Sequence, residues 1–109
     1  MNTEFGKISR VSFGIGGYQD VMIGLNLQFE GKGWGCGDFI GAWDWVFSKD
    51  KDDTYKASLN EQYAKTTHRI SELLSQAKCK DVESLLGKPV EVTFDSMKMV
   101  SWRILEEVI

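Results

Sequence analysis

Proline occurs once in this chain, at Pro89, histidine once, at His68, and cysteine twice, at Cys36 and Cys79. One histidine and two cysteines fall short of the four ligands of a structural zinc site, so no metal is expected. The cysteines form no Cys-x-x-Cys pattern and read as free, buried thiols rather than a disulfide. His68 lies on or near the polar side of a helical stretch, and no serine or cysteine occupies a nucleophile elbow. No catalytic residue and no cofactor are therefore assigned, and the reading is non-enzymatic. No apolar run approaches the ~18 residues of a membrane span, and Met1–Arg10 lacks the apolar centre of a signal peptide, so a cytoplasmic protein is expected. No block of like charge exceeds two residues. With 13 Lys+Arg against 16 Asp+Glu, the net charge of −3 gives no general attraction to nucleic-acid phosphates.

What is present is an ordinary globular composition in 109 residues, 42% hydrophobic and 27% charged, which fits one domain spanning 1–109. Ten of the eleven glycines fall within the first 41 residues, marking that part as strands and turns. Val21, Ile23, Leu25, Leu27 and Phe29 alternate with Met22, Gly24, Asn26, Gln28 and Glu30, a strand with one core face. Gly31-Lys32-Gly33 turns the chain into Trp34-Gly35-Cys36-Gly37-Asp38-Phe39-Ile40. Read as one strand, Gly31, Gly33, Gly35 and Gly37 share a bare face against which something must pack closely.

A long helix over about 53–78 follows, capped by Asp52 or Asp53. Its stripe is Tyr55, Leu59, Tyr63, Thr66 or Thr67, Ile70, Leu73, Leu74 and Ala77. A short helix over about 81–86 is expected between Asp81 and Gly87. Val90, Val92 and Phe94, then Val100, Trp102 and Ile104, form a closing hairpin around Asp95-Ser96. The fold class is α+β: an antiparallel sheet of about five strands with both helices packed on one face.

Two motif-like coincidences dissolve on inspection. Asp50, Asp52, Thr54 and Glu61 fall in calcium-loop register, but Tyr55 stands where the loop needs glycine, so a helix N-terminus is the better reading. Gly14-Ile15-Gly16-Gly17 is followed by Tyr18-Gln19 and a strand, whereas a dinucleotide fingerprint needs a third glycine and a helix.

The remaining signal is the glycine-rich aromatic stretch from Gly31 to Phe47. Small residues beside flat rings can form a groove that grips a partner's side chain or stacks a base. The candidate binding residues are Lys32, Trp34, Phe39, Trp43, Asp44 and Trp45. Trp43 and Trp45 share a face if that segment is extended. A nucleotide-sequestering pocket is the alternative, with Lys32, Arg10 or Arg103 contacting phosphate. A single-strand nucleic-acid binder is a third reading, which the acidity opposes.

Several stretches together carry a resemblance. They are Gly6-Lys7-Ile8, Val11-Ser12-Phe13-Gly14, Gly17-Tyr18-Gln19-Asp20, Gly33-Trp34-Gly35, Asp38-Phe39-Ile40-Gly41, Gly87-Lys88-Pro89-Val90-Glu91-Val92-Thr93-Phe94 and Ser101-Trp102-Arg103-Ile104-Leu105. With them the chain resembles a family of small uncharacterised accessory proteins of tailed phages and prophages. The Asp44–Lys51 region is the least typical. The resemblance implies an accessory protein working in the bacterial host cytoplasm and binding a host or phage protein, an inhibitor of a bacterial defence system being one such role. It supplies no catalytic or ligand residues.

Overall fold

In the computed structural model, which describes residues 1–109, five antiparallel strands form one sheet in the order β3-β2-β1-β4-β5. The strands are β1 (Asn2–Gly16), β2 (Met22–Gly31), β3 (Trp34–Trp43), β4 (Pro89–Asp95) and β5 (Lys98–Ile104). Between β3 and β4 come a one-turn helix α1 (Trp45–Ser48) and the long helix α2 (Asp53–Gln76). The α+β class and the helix packed on one face of the sheet are as the sequence predicts. No helix is long and apolar enough to cross a membrane.

β1 organises the sheet. Its first part pairs with β4 from Asn2↔Phe94 to Lys7↔Pro89, and its longer part pairs with β2 from Gly6↔Gly31 to Gly16↔Met22. A bulge between Ile8 and Arg10 inserts Ser9, so the inward set changes from Gly6 and Ile8 to Val11, Phe13 and Ile15. The sheet curls strongly, and side chains of its two edge strands meet. Trp102 Nε1 of β5 donates to Asp38 Oδ2 of β3 at 2.8 Å, and Cys36 Sγ of β3 lies 3.8 Å from Met99 Sδ of β5. The core fills this curl: Ile8, Leu25, Leu27, Phe29, Val90, Val92 and Ile104 from the sheet, with Leu73 and Ala77 of α2 against them.

Asp52 caps α2 by accepting from Tyr55 N at 2.8 Å, which confirms the helix N-terminus at the calcium-loop coincidence. The helix ends at Gln76, slightly earlier than 78, because Lys78 adopts a left-handed φ of 55°. The predicted short helix over 81–86 is present as a 3-10 helix confined to Glu83–Leu85. Asp81 accepts from both Ser84 N (2.9 Å) and Ser84 Oγ (2.6 Å), which closes a turn, and Gly87 at φ 85° ends it before helix can propagate.

Lys32 and Gly33 are a two-residue hairpin loop, with Gly33 at φ 79°, and Gly31 pairs with Trp34 across it. Gly31 and Gly33 therefore do not share a strand face with Gly35 and Gly37, contrary to the single-strand reading. The close packing expected on bare backbone is nevertheless present on the inner face. The Trp34 ring lies on Gly6 and Gly31, so tightly that a Cβ at Gly6 would sit 2.7 Å from Trp34 Cζ2. Both cysteines are free and half-buried rather than fully buried. Burial pushes the Cys36 thiol pKa up, and the nearby Asp38 charge adds to this.

Candidate functional site

The six candidate residues divide among three places, and the physical reason lies in β3. Side chains alternate along this strand, so Trp34 and Asp38 point into the curl while Phe39 and Trp43 point to the opposite face. Trp34 is half-buried, seated on Gly6 and Gly31 and meeting Phe94 edge-on at 5.4 Å. It forms one wall of an open groove of about 660 Å³ at the end of the curl, together with Lys32, Glu4, Phe94, Asp95 and Met97. Two carboxylates and one lysine line this groove, a poor balance for a phosphate. One face of the Trp34 ring is already occupied by backbone. Phe39 lies on the outer face across Gly16 and Gly41, and it acts as a cover for bare strands.

Trp43, Asp44 and Trp45 do not form an extended run. Trp43 ends β3, Asp44 is the N-cap of α1, and Trp45 begins that helix, so the two tryptophans do not share a strand face. The local cause is Asp44, whose carboxylate accepts from Phe47 N at 3.4 Å and turns the chain. Side chains of α2 hold the junction. Tyr63 OH donates to Trp43 O at 2.9 Å, and Trp43 N donates to Gln62 Oε1 at 3.3 Å. Fully buried Ser48 ties α1 to α2 through its hydroxyl, 3.3 Å from Tyr55 OH. Burial raises the Tyr63 pKa, with further contributions from the Asp44 charge and from Tyr55.

The fixed junction presents an apolar surface. Trp45 is 46% exposed, Val46 67% and Phe47 53%, three consecutive side chains on one turn. Trp43 is half-buried with its ring 6.4 Å from Phe47, so it supports this turn. Lys56 Nζ lies 5.8 Å from the Trp45 ring centroid. On its other side Trp45 borders a shallow hollow of about 310 Å³ lined by Phe13, Ile23, Tyr63, Thr66 and Ile70.

Phe13 and Ile15, more than half exposed on β1, belong to the surface and were not among the sequence candidates. Their alternation with Ser12 and Gly14 looks like any core strand. Only the tertiary structure shows that α2 leaves more than half of each exposed. The cations considered for phosphate are not gathered either. Arg103 is held by Glu91 (3.2 Å) and Glu107 (3.1 Å), which raise its pKa further; Arg10 lies on β1 and Lys32 in the β2–β3 turn. Lys65 and Arg69 of α2 pair with Glu61 and Glu72, and half-buried Arg69 also lies against the Trp102 ring.

Comparison with protein-family models, curated proteins and solved structures finds no match for this chain.

Proposed function

We propose that this chain is a non-enzymatic accessory protein that binds another protein through the apolar turn Trp45–Phe47. The observation that carries this reading is the exposure of Trp45, Val46 and Phe47 on a turn that α2 holds rigidly. Contiguous exposed apolar surface is uncommon on soluble domains and marks interaction sites. Tryptophan brings large contact area at low entropy cost, and it is enriched among the residues that dominate binding energy. The likeness to tailed-phage accessory proteins supports a host or phage protein as the partner and the host cytoplasm as the place of action. Interference with a bacterial defence protein is the form of this function that the resemblance favours.

The test compares fold and binding in one double variant, W45A/F47A. Both side chains are about half exposed, so the melting temperature should change little. Capture of the partner from bacterial lysate should fall at least tenfold relative to wild type. Undiminished capture by a folded variant defeats the reading. Saturable binding of a nucleotide at the Trp34 groove, lost in K32A, would establish the sequestering alternative instead.

A further inference from the structure

The β1–β4 ladder stops at Lys7↔Pro89, while β1 runs on to Gly16. Beyond the bulge, β1 is thus paired on its β2 side alone. Gly87 N donates to Ile8 O and Ile8 N donates to Lys88 O, so Ile8 directs both backbone groups away from β2. Ile8 faces Phe29, and alternation along β2 then fixes the remainder. Val11, Phe13 and Ile15, opposite Leu27, Leu25 and Ile23, also direct N–H and C=O away from β2. No turn or loop segment bonds these groups. The edge also lacks the usual protections: Val11–Gly17 holds no charge and no proline, and the bulge lies before it.

We infer that this edge pairs with the same edge of a second copy, joining two sheets across a twofold axis at Phe13. The sequence of the edge is complementary to itself in that register. Phe13 meets Phe13 of the second copy, and Val11 meets Ile15, so every inward-facing pair is apolar. On the other face Arg10 meets Gly16 and Ser12 meets Gly14, so each larger side chain lies opposite a glycine. No like charges face one another, a condition cross-strand pairs require. Because Val11, Phe13 and Ile15 all aim their backbone groups outward, these are the narrow, doubly bonded pairs, giving about six inter-chain hydrogen bonds. Pairing also covers Phe13 and Ile15, which are 55% and 58% exposed in the single chain. A twofold interface uses one patch on both subunits, which a self-complementary edge satisfies.

Sedimentation over a range of micromolar concentrations, combined with cysteine cross-linking, tests this. The wild-type chain should sediment at twice its 12.4 kDa mass. F13K places two lysines opposite each other and should return the protein to monomer with its circular dichroism spectrum retained. Should F13K fail to fold, F13C decides the matter independently. Facing residues in a doubly bonded pair have Cα atoms about 5.5 Å apart, within disulfide range. Mild oxidation should therefore yield a covalent dimer with F13C but not with S12C or wild type, because Ser12 faces Gly14. A chain that stays monomeric at every concentration overturns the proposal, including the case in which a different protein donates the strand. A dimer that survives F13K, or in which F13C cross-links no more than S12C, overturns it as well.

Discussion

Trp102 and Asp38 lie on the two opposite edge strands of the sheet, yet the indole Nε1–H donates to the carboxylate at 2.8 Å. The same indole ring packs at 4.6 Å from Phe29 and 5.5 Å from the Arg69 guanidinium of α2. One side chain thus ties β5 to β3, to the sheet floor and to the helix. Asp38 is committed elsewhere too, its other oxygen accepting from Phe39 N at 2.9 Å. This pin, with the Cys36–Met99 contact, joins two edge strands that share no backbone ladder.

Replacing Trp102 with phenylalanine retains a ring but removes the donor. The loss of a hydrogen bond to a charged group should cost about 1.5–3 kcal/mol, measured by urea denaturation. A variant as stable as wild type would show that the curl is maintained by packing alone.

Leu25 is fully buried in the middle of β2, inside the curl. Leu25→Ala should cost roughly 2–5 kcal/mol, through lost burial and the cavity left behind. An unchanged melting temperature contradicts this placement.

The β4–β5 hairpin turns on Ser96 (φ 51°) and Met97 (φ 70°), both left-handed, with Met97 97% exposed. Such a two-residue turn favours asparagine and glycine, and an ordinary side chain there costs on the order of 1–2 kcal/mol. Met97→Gly should consequently raise the melting temperature by several degrees. A decrease would mean that Met97 makes contacts that outweigh its backbone strain.

Arg103 hydrogen-bonds Glu107 and holds its carboxyl below the usual carboxylate range. A depressed pKa in the folded state contributes stability above the unfolded-state value and loses it as pH falls through the folded-state value. Glu107→Gln should therefore lower the melting temperature slightly at pH 7, where the contribution is fully present, and flatten the acid limb below about pH 4.5, so that the two profiles converge in acid. Parallel acid limbs in wild type and variant would show that the pair contributes nothing.

Residue order by itself determined the elements whose signals are local. The alternation from Val21 to Phe29 requires a strand with one buried face. The apolar stripe behind Asp52 requires a helix, and the positive φ at Gly33 suits the tight turn its sequence advertises. Tertiary structure decided what depends on distant partners. Asp44 could continue a strand or cap a helix; the hydrogen bonds that Trp43 accepts from Tyr63 and donates to Gln62 fix the junction where the chain turns. Trp34, Trp43 and Trp45 are equal in composition, but glycine backbone, a neighbouring helix and solvent give them different surroundings. Phe13 and Ile15 alternate as a core strand would. They stay more than half exposed because α2 packs chiefly over β3 and β4 leaves β1 at Lys7, an arrangement no single segment specifies alone.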